Sequence, residues 1–150
     1  MHDLDVKPAE NIDARPVVFV TREASFSAAH CMASSELSLQ ENKALFGKCS
    51  SLHGHNYKVF FTVRGHIDPK TGMVLNLTEL QRCIERVVMP LDHSNLQDVE
   101  YFHKMVSTAE NLVVYLFNKL APELVNEDYE LYNVKLYETD KNSASFPHFQ

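Results

Sequence analysis

The chain is short of positive charge. Its 150 residues carry 14 lysines and arginines against 20 aspartates and glutamates, a formal net charge of −6, and no basic stripe runs along any stretch. Proteins that grip nucleic acid need such a stripe for the phosphate backbone, so nucleic acid is not an expected partner. No run of about 18 apolar residues occurs, so no segment is expected to span a membrane. Residues 1–15 are polar and acidic without the apolar centre of a signal peptide, and are expected to be a disordered lead-in to a single domain over residues 16–150. The only cysteines are Cys31, Cys49 and Cys83. An odd number cannot all pair, and no disulfide spacing emerges, which fits a reducing cytoplasm. Cys83 falls on the apolar face of a helical pattern and reads as a small buried hydrophobe. There is no internal repeat, no dividing linker and no redox-cofactor motif. A chain of this length fits one domain with a respectable core.

What is present concentrates in Cys49-Ser50-Ser51-Leu52-His53-Gly54-His55. On an extended chain residues two apart share a face, so His53 and His55 can hold one ion from one side. Two ligands rarely suffice, because a catalytic zinc takes three protein groups and keeps its fourth position open. His30 ends the run Ser25-Phe26-Ser27-Ala28-Ala29-His30 and would complete a three-imidazole site from a neighbouring strand. Neutral imidazoles suit zinc and leave copper, iron and nickel open. Against this stands the plainer reading of two surface histidines in a loop.

Alternation organises the rest. Val18, Val20, Ala24, Phe26, Ala28 and His30 share one parity, with Arg22 the charged exception, and predict a long strand with His30 inward. Residues 31–48 show no sustained period and are expected to be a long loop that delivers Cys49. A second strand carries His53, His55, Tyr57, Val59, Phe61 and Val63 on one face. A helix is expected from Asn76, with Glu79 completing a capping box, and Pro90 ends it; a second is expected from Ser107, with Glu110 completing another. Tyr132, Val134, Leu136 and Glu138 share a parity on a third strand, and a weak last strand begins near Ser143 and is cut by Pro147. The prediction is an α+β fold, ββααββ, with a four-stranded antiparallel sheet and two helices on one face. Such a sheet leaves two edges open, which must be covered or paired.

The chain resembles the 6-pyruvoyl-tetrahydropterin synthase family of tunnelling-fold pterin enzymes from about Phe26 to Asn142. The resemblance rests on Phe26-Ser27-Ala28-Ala29-His30, Leu45-Phe46-Gly47-Lys48-Cys49, His53-Gly54-His55-Asn56-Tyr57 and Gly72-Met73-Val74-Leu75-Asn76-Leu77. It continues through Leu91-Asp92-His93, Ser107-Thr108-Ala109-Glu110-Asn111 and Tyr137-Glu138-Thr139-Asp140. Together, in the family's order, these motifs are specific where none is alone. There are two departures. Cys49 precedes His53 by only four residues, a step resembling that of 6-carboxy-tetrahydropterin synthases, and Cys31-Met32 replaces the family's common Arg-Leu.

The resemblance implies a tunnelling fold whose sheets join into a trimeric barrel, two trimers stacking as a homohexamer. It implies conversion of 7,8-dihydroneopterin triphosphate to 6-pyruvoyl-tetrahydropterin and triphosphate, with one zinc per chain on His30, His53 and His55 and magnesium on the triphosphate. Cys49 would accept protons, assisted by Asp92 and His93 from a neighbouring subunit, and Glu138 would anchor the pterin. Thr108 and Glu110 could contact substrate, although a helix cap explains Glu110 as well. The alternatives are 6-carboxy-tetrahydropterin synthase, suggested by the short Cys49–His53 step, and a non-catalytic zinc- or pterin-binding oligomer.

Overall fold

A computed structural model describes residues 15–148. Their elements are β1 (Val17–His30), α1 (Leu39–Phe46), β2 (His53–His66), α2 (Leu77–Val88), β3 (Ser94–Asn95), α3 (Ala109–Leu120), β4 (Tyr129–Tyr137) and β5 (Ser143–Phe146). The architecture is α+β, as the patterning predicts. The sheet has five strands rather than four, in the order β3-β1-β2-β4-β5. The extra one, β3, is two residues long and runs parallel to β1 beside Ala28 and Ala29. It covers the edge of β1 only at the His30 end.

β1 and β2 pair antiparallel along their whole length, from Val17 opposite His66 to His30 opposite His53. Their inward faces carry Phe26, Ala28, Val59, Phe61 and Val63, which pack on Leu80, Ile84 and Val88 of α2 and Leu112, Leu116 and Leu120 of α3. Apart from Ala28, burying each of these side chains is worth about 1.5–3 kcal/mol, so the two long strands and two helices hold one layered core.

Four local expectations are corrected. Residues 31–48 are not all loop, because α1 forms there. It shows no helical stripe because Leu39 and Leu45 stay 84% and 66% exposed. What holds α1 is polar. Ser38 accepts from the amide of Glu41 while the Glu41 carboxylate accepts from that of Ser38, a capping box. Asn42, the one buried residue of the helix, accepts from the Ser34 amide and donates to the carbonyls of Ser34 and Leu37.

The second correction concerns β4. Its pairing with β2 slips by one residue beside Thr62 and Val63, so Leu131 faces Val63 and Asn133 faces Thr62. A bulge inserts one unpaired residue and reverses the side-chain parity. Leu131, Val134 and Leu136 are therefore the buried set, and Tyr132 leaves the predicted face to meet Phe19 edge-on, at 4.8 Å between ring centres.

The third and fourth are helix caps. α2 begins after Asn76, whose side chain accepts from the amide of Thr78, and Glu79 pairs with Arg82 instead of closing a box. α3 is capped by Thr108, which accepts from the amide of Asn111, and not by Ser107, which is fully buried.

Candidate metal and ligand site

The site grows from the end of the sheet where β1 leaves and β2 enters. Register sets His30 directly opposite His53, and His55 opposite Ala28. Ala28 is small enough to leave the three rings in mutual contact. Ring centres lie 4.5 Å apart for His30 and His53, 5.1 Å for His30 and His55, and 5.0 Å for His53 and His55. One ligand atom from each lies within 4.8 Å of the others.

The outer nitrogens of two rings are fixed. His30 donates from Nδ1 to the Ser107 carbonyl at 2.7 Å, and His53 from Nδ1 to the Ser51 carbonyl at 2.7 Å. Each bond puts the ring proton on Nδ1 and leaves a lone pair on Nε2. The Nε2 atoms of His30, His53 and His55 are all buried without a hydrogen-bond partner. Two such lone pairs and a third partnerless imidazole nitrogen, converging where they are buried, are costly unless something electropositive sits among them. Burial, the largest influence, pushes the imidazoles of His30 and His55 below their ordinary value; Glu138 opposes it at both, and neighbouring imidazoles add to it. Both rings are thus held neutral, the form in which histidine binds a metal. The residues could hold a metal ion.

A bracing network that the sequence did not reveal stands behind His30. Gln97 accepts from the amide of Cys31 and donates to its carbonyl, both at 3.0 Å, and donates to Ser107 Oγ at 2.8 Å. Gln97 lies in a short 3-10 turn with no periodic pattern to mark it.

Glu138 follows the last residue of β4 and shares the parity of Val134 and Leu136, which sets it on the histidine side. Its Oε1 lies 3.8 Å from His55 Nε2. Glu138, distant in sequence from Thr108 and Glu110, lines one cleft of about 480 Å³ with both of them, Met32 and Lys141. Tyr57, buried beside His55, carries a phenol pushed well above its usual pKa by burial first and by the charge of Glu138 second.

Cys49 and the Asp92–His93 pair lie elsewhere. Cys49 sits in the 3-10 turn Gly47–Ser50, where its carbonyl accepts from the Met32 amide at 2.7 Å. It stands outside the metal-ligand group found among the described residues. Gly47, which opens the turn, has φ 54° and ψ −126°, a conformation that favours glycine.

Asp92 and His93 are clasped to β1. The amide of Ser27 donates to Asp92 Oδ1 at 2.9 Å, and the amide of His93 donates to the Ser27 carbonyl at 2.6 Å. The Asp92 carboxyl is held below the usual carboxylate range chiefly by that Ser27 amide, and next by His93. His93 Nδ1 lies 2.8 Å from Asp92 Oδ2. The backbone of His93 is left-handed, at φ 58°, which is uncommon for a residue with a side chain. Its imidazole is 85% exposed and lines a second cleft with Ser27, Gly54, His55 and Asn56. Among the described residues no hydrogen bond or ion pair joins Cys49 or His93 to Glu138 or the histidine cluster.

Residues 19–148 match the family described as 6-pyruvoyl tetrahydropterin synthase. A protein of Poecilia reticulata named 6-pyruvoyl tetrahydrobiopterin synthase is 53% identical over 137 residues, covering 88% of this chain and 91% of that one. One of Homo sapiens with the same name is 53% identical over 127 residues, 82% of this chain and 86% of that one. The solved structure of Caenorhabditis elegans 6-pyruvoyl tetrahydropterin synthase superposes with a TM-score of 0.84 at 42% identity, over 90% of this chain and 98% of that one.

Proposed function

The chain belongs to the 6-pyruvoyl tetrahydropterin synthase family, and we propose that it converts 7,8-dihydroneopterin triphosphate to 6-pyruvoyl-tetrahydropterin with loss of triphosphate, as a zinc-dependent lyase of tetrahydrobiopterin synthesis. The observation that carries this reading is the convergence of three partnerless imidazole nitrogens beside Glu138. His30, His53 and His55 would hold one zinc per chain, with Cys49 outside the ligand set and the fourth position left to substrate. Bound there, zinc supplies Lewis-acid polarisation of the substrate's side-chain oxygens, which acidifies the neighbouring carbon-bound protons.

The chain's own groups divide the remaining work. Glu138 binds the pterin through the paired N–H groups of its ring, in the manner of a carboxylate receiving a guanidinium fork. The Thr108 hydroxyl oxygen accepts from the Asn111 amide at the α3 cap, which leaves its O–H to donate to the ligand, with Glu110 at the same rim. Cys49 accepts protons from carbon and needs nearby positive charge to do so as thiolate. Asp92 orients His93 and stabilises its cationic form, so that His93 exchanges protons with the thiol. No external reductant enters, since hydrogens move within the substrate. Magnesium accompanies the triphosphate.

Assembly follows from the same reading. Asp92 and His93 reach Cys49 across a subunit boundary, which suits an imidazole exposed to that degree. The sheet joins neighbours into a trimeric barrel and trimers stack as a homohexamer. Phe19, 55% exposed, and Val17, 41% exposed, lie on the sheet face away from the helices, and among the described residues most of the β1 edge has no partner strand. Three free cysteines suit the cytoplasm. We assign residues 16–150 to the single synthase domain; its residues 149 and 150, and residues 1–14 of the disordered lead-in expected over 1–15, lie outside the described residues.

The short Cys49–His53 step favours one second reading, 6-carboxy-tetrahydropterin synthase. Product analysis after incubation with 7,8-dihydroneopterin triphosphate separates them. Triphosphate with 6-pyruvoyl-tetrahydropterin supports the proposal, and triphosphate with acetaldehyde supports the rival. Absence of any triphosphate release would leave a binding protein.

A further inference from the structure

Among the described residues four buried side-chain atoms lack a hydrogen-bond partner: Nε2 of His30, His53 and His55, and Oη of Tyr57. One cation satisfies the three nitrogens. It does not account for a phenol, which at neutral pH is protonated and needs an acceptor for its O–H.

Tyr57 belongs to the same face of β2 as His53 and His55 and is 1% exposed. Its ring stacks on Phe26 at 4.9 Å and stands edge-on to His55 at 5.6 Å and to His30 at 6.3 Å. One step beyond Lys58 and Tyr137, the last β2–β4 pair, the register brings Tyr57 beside Glu138. The Tyr57 ring thus packs against the histidine cluster and neighbours the strand end that carries the carboxylate. Phe26 fills the facing strand in the same layer without a hydroxyl, so packing alone does not call for one at position 57. An unpartnered buried hydroxyl destabilises the empty protein, and it becomes useful when a ligand brings the acceptor.

We propose that Tyr57 is a ligand-binding residue, donating its O–H to an acceptor atom of the pterin bound at Glu138 and the three histidines. This deepens the reading of the site as a pterin site and rests on it. A site built to donate a hydrogen bond to its ligand discriminates strongly in favour of that ligand.

Tyr57→Phe tests it, because it keeps the ring and removes only the hydroxyl. Neopterin serves as the probe, titrated by fluorescence into zinc-loaded wild type and variant, with zinc content and melting temperature measured beside it. The expected result is an unchanged zinc content, a melting temperature of the ligand-free variant equal to or above that of wild type, and roughly tenfold weaker neopterin binding, the loss of one buried hydrogen bond. Equal neopterin affinity in the two proteins would overturn the proposal, whether or not the melting temperature changed, and would leave the hydroxyl to a bound water. If zinc-loaded wild type itself failed to bind neopterin, the pterin reading would fall, and the role of Tyr57 with it.

Discussion

His30 donates from Nδ1 to the backbone carbonyl of Ser107, 77 residues away, at 2.7 Å, and that bond aims its other nitrogen at His53 and His55. The geometry of the candidate metal site therefore depends on a segment that contributes no ligand. Gln97 ties that segment to the residue after His30, through Cys31 on one side and Ser107 Oγ on the other.

Gln97→Leu should strand the amide of Cys31 and weaken the grip on Ser107. Leaving a buried polar group without its partner costs about 1–3 kcal/mol, and loss of an outer-shell support lowers metal affinity by about 10–100-fold. Urea unfolding of the metal-free protein and competition with a zinc chelator measure the two effects. Wild-type zinc affinity in the variant would show that the brace does not orient His30.

Acid should destabilise the metal-free protein through His30. Burial lowers its folded pKa below the ordinary histidine value. As pH falls past about 6.5 the unfolded chain takes up a proton there that the folded chain refuses. Protons bound by the unfolded state then exceed those bound by the folded state, so stability declines with falling pH until the folded pKa is reached. Above about 6.5 this contribution is complete and constant. Unfolding midpoints from pH 8 to pH 5 should drop on the acid side, and His30→Gln should flatten that part of the curve. A wild-type curve with no acid-side slope attributable to His30 would contradict the assignment.

Cys49→Ala should retain zinc and neopterin binding and lose about 10²–10⁴-fold in kcat, the usual contribution of a placed acid or base. Gly47→Ala meets no atom within 4 Å, but its φ of 54° is unfavourable for a side chain, a strain of about 1–3 kcal/mol. It should lower kcat with zinc content intact by displacing the turn that carries Cys49. Loss of zinc from Cys49→Ala would make the thiol a ligand instead.

Cys49→Ala and His93→Ala should each be nearly inactive alone yet regain activity when dissociated and reassembled together. Some boundaries would then join an intact Cys49 from one chain to an intact His93 from the other. The exposure of His93, and the absence among the described residues of a hydrogen bond from it to Cys49, motivate the test. Verified hybrid oligomers no more active than their parents would place Asp92 and His93 within one chain's site, or outside catalysis.

The parts of this fold written in strict alternation were legible in the sequence. Parity turned His30, His53 and His55 to one face, and the stripes of α2 and α3 placed the helices on it. Hidden features were those with no periodic signature. α1 exposes its leucines and is held by Ser38, Glu41 and Asn42, so no apolar stripe announces it. The bulge that expels Tyr132 from the β4 core face is a single unpaired residue set by register with β2. Ser107 has the look of a helix cap from its spacing to Glu110, but the cap falls on Thr108 because the Ser107 hydroxyl and carbonyl are engaged with Gln97, Cys31 and His30. Glu138 reached the histidines in spite of the parity error, since the bulge lies upstream of Val134, Leu136 and Glu138.

The most direct measurement of the central claim is zinc per chain in wild type and in His53→Ala, by elemental analysis after identical zinc loading and desalting. The account predicts about one zinc per wild-type chain and near none in His53→Ala, with the circular dichroism of the fold preserved because the Leu80, Leu112 and Leu116 core lies away from His53. A folded His53→Ala that keeps full zinc occupancy would contradict it.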